Sequence, residues 1–238
     1  MLIWFAAAFC AFFIKGLCGF ANTLVFTSIL SFGAANFEIT PVELLLGFPS
    51  NAILAWRGKK RLLPKLILPL GALLLAGNAV GAFLLKSVDP GPMKILFGLA
   101  VIAVGAEMLL REKKPKQTEE PRLIGWIIGL LSGVLSGLFG VGALLAAYLS
   151  RVTDDSETMK ANVSALFVTE NLFRILLYSG MGIITAASLK TVLLLLPAAL
   201  LGLLCGIVSG KRLDERTVRR LVIFLLMLSG AVLIGKNL

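Results

Sequence analysis

Phe12-Phe13-Ile14-Lys15-Gly16-Leu17-Cys18-Gly19-Phe20-Ala21-Asn22-Thr23 is the stretch that decides the fold. It lies in the middle of an apolar segment, residues 2–33. One helix of that length would extend ~48 Å at ~1.5 Å per residue. The hydrocarbon core of a bilayer is only ~30 Å thick, and two full spans need ~40 residues. A broken element fits better: a half-helix in, a turn over residues 16–19, and a half-helix back. Lys15 and Asn22 then flank the turn. Glycine permits the turn, and the first N–H groups of the second half-helix point into the protein at membrane depth.

The rest of the composition agrees. Of 238 residues 58% are hydrophobic and 15% charged, and long apolar runs fill most of the chain, so an all-α integral membrane protein is expected. The net charge of +10 would suggest a nucleic-acid partner in a soluble protein. Here the basic residues flank apolar spans, so the lipid bilayer, not nucleic acid, is the expected partner. The chain has no His, and Cys10, Cys18 and Cys205 lie in apolar runs without metal-ligand spacing. We expect no metal and no cofactor. The apolar N-terminus lacks a basic n-region, which argues against a cleaved signal peptide. There is no GxSxG, Walker loop or HExxH, so an enzyme is not expected.

The apolar segments are 2–33, 41–56, 63–85, 93–110, 123–150, 158–178, 186–208 and 218–235, the first and fifth of them broken. Trp4, Trp56, Trp126, Tyr148 and Tyr178 fall near segment ends, where interface aromatics gather. A polar linker, 111–122, separates a first repeat, 1–110, from a second, 123–238. The halves match in order and at nearly constant shift. Gly16 and Gly19 match Gly137 and Gly140, Asn51 matches Asn171, and Gly77 and Gly81 match Gly202 and Gly206. This reads as an internal repeat.

Charge decides between two topologies. If 2–33 and 123–150 are each one ordinary span, the halves are parallel and Lys and Arg divide nearly evenly between the two sides. If both are re-entrant hairpins, each half adds three transmembrane helices and the second half is inverted. One side then holds 17 of the 23 Lys and Arg, and the other only Lys86, Lys94, Lys190 and Lys236. The positive-inside rule favours these inverted repeats, with the linker in the cytoplasm and both termini outside.

Two facing half-helix N-termini near the midplane make an anion site. The candidate contacts are Gly19, Phe20, Ala21 and Asn22 at the first break and Gly140, Val141 and Gly142 at the second. Close helix packing is the competing use of such glycines; Gly133, Gly137, Gly77 and Gly81 are expected to serve only that. Lys15 is a deep cation, either for an anionic ligand or for helix-end carbonyls. Its repeat partner is Ser136. Glu170 and Arg174, four apart, can pair, and Glu170 is the one deep acid that could carry a proton. Asn51, beside Ser50, and Asn171 recur in both halves and are expected to face the centre. Glu43 and Glu107 lie nearer span ends and are expected to be solvated or anchored. Export of an anion is driven by an inside-negative potential, so potential-driven efflux needs no coupling ion.

The glycine-broken starts, Phe13-Ile14-Lys15-Gly16-Leu17-Cys18-Gly19-Phe20 and Ser132-Gly133-Val134-Leu135-Ser136-Gly137-Leu138-Phe139-Gly140-Val141-Gly142, resemble the sulfite exporter TauE/SafE family. So do Lys86-Ser87-Val88-Asp89-Pro90 and Lys211-Arg212-Leu213-Asp214-Glu215, each before a terminal span. The resemblance covers essentially the whole chain. It implies a secondary transporter moving sulfite, thiosulfate or an organosulfonate such as sulfoacetate across the cytoplasmic membrane, by export. The chain departs from the family after Gly19 and Gly142, where fewer glycines follow. The other reading is a non-transporting membrane scaffold or assembly factor. A homodimer is left open.

Overall fold

The computed structural model describes residues 1–30, 34, 36–84, 122–139 and 142–235, with scattered positions between 95 and 110. The linker, except Arg122, lies outside them, as does Glu107. The described elements are helical: α1 Leu2–Cys18, α2 Asn22–Leu30, α3 Asn36–Arg57, α4 Pro64–Leu84, α5 Arg122–Phe139, α6 Ala143–Val152, α7 Ser156–Gly180, α8 Ala186–Gly210 and α9 Glu215–Gly235. A 3₁₀ turn, Lys59–Arg61, joins α3 to α4.

The first apolar segment is broken, with the turn at residues 19–21 rather than over 16–19. The helix runs through Gly16 and ends at Cys18. Gly19 adopts φ +87°, and its N–H donates to the Lys15 carbonyl at 2.6 Å. Ala21 follows at φ 71°, and α2 begins at Asn22. Gly19 is needed twice over. Its φ is left-handed, and a Cβ there would come within 2.7 Å of Lys160 Cγ on α7. Gly16 instead lies in α1 against Gly206 of α8. The second segment also breaks: α5 ends at Phe139, and Gly142 precedes α6.

The two most extensive helix contacts cross the chain's halves. α1 lies along α8, and α4 along α5. Both seams are made of small residues. Gly77 and Gly81 of α4 meet the α5 backbone at Gly133 and Gly137; Gly202 and Gly206 of α8 meet α1 at Phe9, Phe13 and Gly16. Such seams let backbones approach where lipid supplies no hydrophobic drive. A methyl at Gly206 would run into the Phe13 carbonyl. Gly206→Ala is therefore expected to destabilise by ~1–3 kcal/mol, an overpacking cost. Thermal unfolding in detergent checks this against Gly180→Ala, whose Cβ would meet nothing within 4 Å.

Two apolar clusters flank the centre. One joins α1, α2, α3 and α8 through Phe12, Phe26, Val42 and Leu203. The other joins α4, α6 and α7 with the first break, through Leu74, Leu149, Leu166 and Phe20. The polarity is inside out. Leu193 and Leu201 of α8 are 70% and 59% exposed, while Lys15, Glu43, Glu170 and Arg174 are each at most 4% exposed. That is the pattern of a lipid-facing exterior around a polar centre. Among the described residues three helices are long and apolar enough to cross a membrane, within α3, α4 and α8; the apolar parts of α1 and α5 are shorter.

Trp56 and Trp126 are exposed near helix ends, as interface aromatics are. Tyr148 and Tyr178 are buried instead. The Tyr178 hydroxyl accepts from Arg174 Nη2 at 3.1 Å, which draws it inward. Asn162, buried on α7, fixes the α3–α4 loop: its Oδ1 accepts from Leu63 N (2.8 Å), and its Nδ2 donates to the Arg61 carbonyl (3.0 Å). The Arg61–Asp155 pair at 2.7 Å lies at the surface and adds little.

Candidate functional site

Ending α1 at Cys18 puts Lys15 in its last turn, with Asn22 starting α2 directly across the break. Lys15 Nζ donates to Asn22 Oδ1 at 3.0 Å. Asn22 Nδ2 donates to Glu43 Oε1, and Thr23 Oγ1 donates to the same oxygen at 2.8 Å. Asn22 thus stands between a buried cation and a buried carboxylate. Gly47, one turn beyond Glu43 on α3, keeps this space open: a Cβ there would press the Asn171 side-chain amide at 3.3 Å.

The second carboxylate is held by two other helices, α4 and α5, and by its own neighbours on α7. Glu170 Oε1 accepts from Asn78 Nδ2 of α4 (2.7 Å) and Ser136 Oγ of α5 (2.9 Å), and Arg174 Nη1 stands at 3.6 Å. With its NH₂ turned to Glu170, the Asn171 amide donates to Oε2 at 2.8 Å; its oxygen accepts from Asn51 Nδ2 at 3.1 Å and Phe48 N at 3.3 Å. The Arg174 guanidinium lies over the Tyr178 ring, 5.2 Å from its centroid.

Between these two carboxylates is a cavity of about 30 Å³. One water needs ~10–15 Å³ on the same measure, so the space takes a compact oxyanion or two or three waters. Lys15 and residues 20–24 line one wall, Glu43 and Asn51 of α3 another; Ser136, Gly142, Phe167, Glu170 and Asn171 close it from the second half. The N–H groups of Asn22, Thr23 and Leu24 have no helical acceptor, because the first one, the Ala21 carbonyl, takes Val25 N at 3.1 Å. Residues 22–24, and with them the positive end of α2, line the cavity. Asn51 Oδ1 is buried there with no hydrogen-bond partner among the described residues.

Eight of the residues singled out from sequence line this one cavity: Lys15, Phe20, Ala21, Asn22, Asn51, Gly142, Glu170 and Asn171. Gly19 does not; it faces Lys160. Arg174 stands behind Glu170, in the ion pair expected from their spacing. Gly140 and Val141 lie outside the described residues. Of the two expectations for Glu43, solvated or anchored, the structure shows the second: it is buried and accepts from Asn22 and Thr23, on a helix that begins at Asn36 rather than 41. Its spacing from Gly47 and Asn51, four and eight residues, puts all three on one helix face, a signal that was available. Thr23, Ser136 and Asn78 were also missed as site residues. Asn78 is a fully buried polar residue between Gly77 and Gly81 of an apolar run, which marks it.

Lys15 and Arg174 bring two positive charges to this centre, and Glu43 and Glu170 two negative ones. The family model described as "Sulfite exporter TauE/SafE" matches residues 4–233. A search of curated proteins and a search of solved structures each gave no match. With nearly its whole length matched, the chain belongs to the sulfite exporter TauE/SafE family of membrane transporters.

Proposed function

We propose that the protein carries a small sulfur-containing anion, such as sulfite, thiosulfate or the sulfonate of sulfoacetate, out across the cytoplasmic membrane, and that the anion sits in the central cavity. The observation that carries this reading is the meeting of Lys15 with the first turn of α2 on one cavity. A sulfonate offers three acceptor oxygens and one charge, which suits N–H donors plus one cation. The Asn51, Asn171 and Gly142 wall completes the site. Lys15 has no cationic repeat partner on the cavity, so the site is built unevenly from the two halves.

The helix pairing supports an internal repeat, and the uneven division of Lys and Arg supports its inversion. α1 on α8 and α5 on α4 are equivalent contacts with the halves exchanged. In this arrangement α1–α2 and α5–α6 are re-entrant hairpins, the linker is cytoplasmic and both termini are outside. Any net negative charge leaving the cell gains ~2.3 kcal/mol per 100 mV of inside-negative potential. The test is flux into proteoliposomes. Labelled sulfite, thiosulfate or sulfoacetate is expected to move faster than in protein-free vesicles. Equal rates for all three would support a scaffold without transport.

A further inference from the structure

We infer that Glu43 is a proton-binding site of the carrier, loaded together with the anion, so that one proton crosses with each anion. This rests on the anion reading above and adds the coupling ion. The two buried carboxylates are not alike. Glu170 has donors on both oxygens, three neutral ones plus the Arg174 guanidinium. A proton on it would face donors from every side. Glu43 has two neutral donors, Asn22 and Thr23, and both go to Oε1. Among the described residues no hydrogen bond reaches its Oε2, and Glu43 lines the cavity. Lys15 meets it only through the Asn22 amide.

Charge balance gives the reason for a proton. The charged groups acting on Glu43 are Lys15 from α1, and Glu170 and Arg174 from α7. From α2 come only the neutral Asn22 and Thr23. α8 also packs on α3, and its one charge, Lys190, is exposed near its N-terminal end. Two cations and two carboxylates cancel, so an incoming anion leaves an uncompensated negative charge away from water. A second negative charge beside a carboxylate favours its neutral form. Water on the loading side supplies the proton to Oε2, giving the carboxylic acid; Lys15 is then left to the anion. On the far side the anion leaves and the proton returns to water. A dianion plus a proton crosses as one net negative charge, so its export remains driven by the membrane potential.

The experiment uses the parent protein in vesicles, with the potential clamped at zero, a pH gradient imposed and labelled sulfoacetate as probe. The anion is expected to accumulate on the alkaline side, about tenfold per pH unit at balance, since one pH unit is ~1.36 kcal/mol. In Glu43→Gln, which cannot carry the proton, whatever flux remains is expected to balance at equal concentrations. Thr23→Val removes one donor that favours the carboxylate. It should leave the parent's accumulation ratio but raise the pH dependence of the rate by about one to two units. A parent that moves sulfoacetate yet balances evenly across the pH gradient overturns the proton site alone. So does a Glu43→Gln protein that still accumulates tenfold, or an unmoved profile in Thr23→Val. A parent that moves none of the three anions overturns the anion reading and this inference with it.

Discussion

Lys15→Ala is expected to bind the anion ~10- to 150-fold more weakly than the parent, the worth of a charge-assisted hydrogen bond at ~1.5–3 kcal/mol. Lys15 is the only cation among the described residues lining the cavity, and it is 1% exposed. Among the described residues its one side-chain hydrogen bond goes to a neutral amide oxygen, and no carboxylate pairs with it directly. Alanine leaves the turn intact, because the bond closing α1 runs from Gly19 N–H to the backbone carbonyl of residue 15. Lys15→Arg should recover part of the affinity, limited by the room its larger fork needs. Labelled-sulfoacetate binding to detergent-purified protein with an unchanged size-exclusion profile measures this. A folded Lys15→Ala that binds like the parent would make the cation structural and move the site toward Asn51, Asn171 and Arg174.

The second large effect falls on folding. Glu170→Gln takes the negative charge from a guanidinium that is 2% exposed, and unbalancing a buried pair costs ~3–5 kcal/mol. Asn78, Ser136 and Asn171 all point donors at the same group, and an amide offers them one acceptor oxygen where the carboxylate offered two. A large fall in thermal stability is expected. Adding Arg174→Gln should recover much of it, because the second change removes the stranded charge. Thermal unfolding of the single and double variants forms the cycle that isolates the pair. A Glu170→Gln protein as stable as the parent would mean that Arg174 is balanced by Glu43 instead.

Much of this architecture was legible in the residues, for identifiable reasons. Hydrophobic segments report helix length directly, so α4, α7 and α8 lie within a few residues of 63–85, 158–178 and 186–208. The glycine pairs at 77/81 and 202/206 mark close seams because nothing larger fits there. Lys15 and Asn22 stood out as polar residues in a run that tolerates few. The turn's position was less legible, since Gly16 and Gly19 look alike in sequence. Only the approach of α8 to Gly16, and the left-handed φ of Gly19 beside Lys160, separates packing from turn. Glu43 was not legible as a site residue because Pro41 looks like the first residue of a helix, where proline is at home. The helix instead begins five residues earlier and carries Pro41 inside it, and Glu43 turns inward to Asn22 and Thr23. Asn78 and Ser136 join Glu170 only through contacts between α4, α5 and α7, which no local pattern encodes.

The central claim is that an anion occupies the cavity between Lys15 and the start of α2. The most direct test is a structure of the protein with selenite, a heavier analogue of sulfite, located by the anomalous signal of selenium. The account predicts one peak within hydrogen-bond reach of Lys15 Nζ and the backbone amides of residues 22–24. Selenium bound at full occupancy elsewhere, with the cavity holding only water, would contradict it.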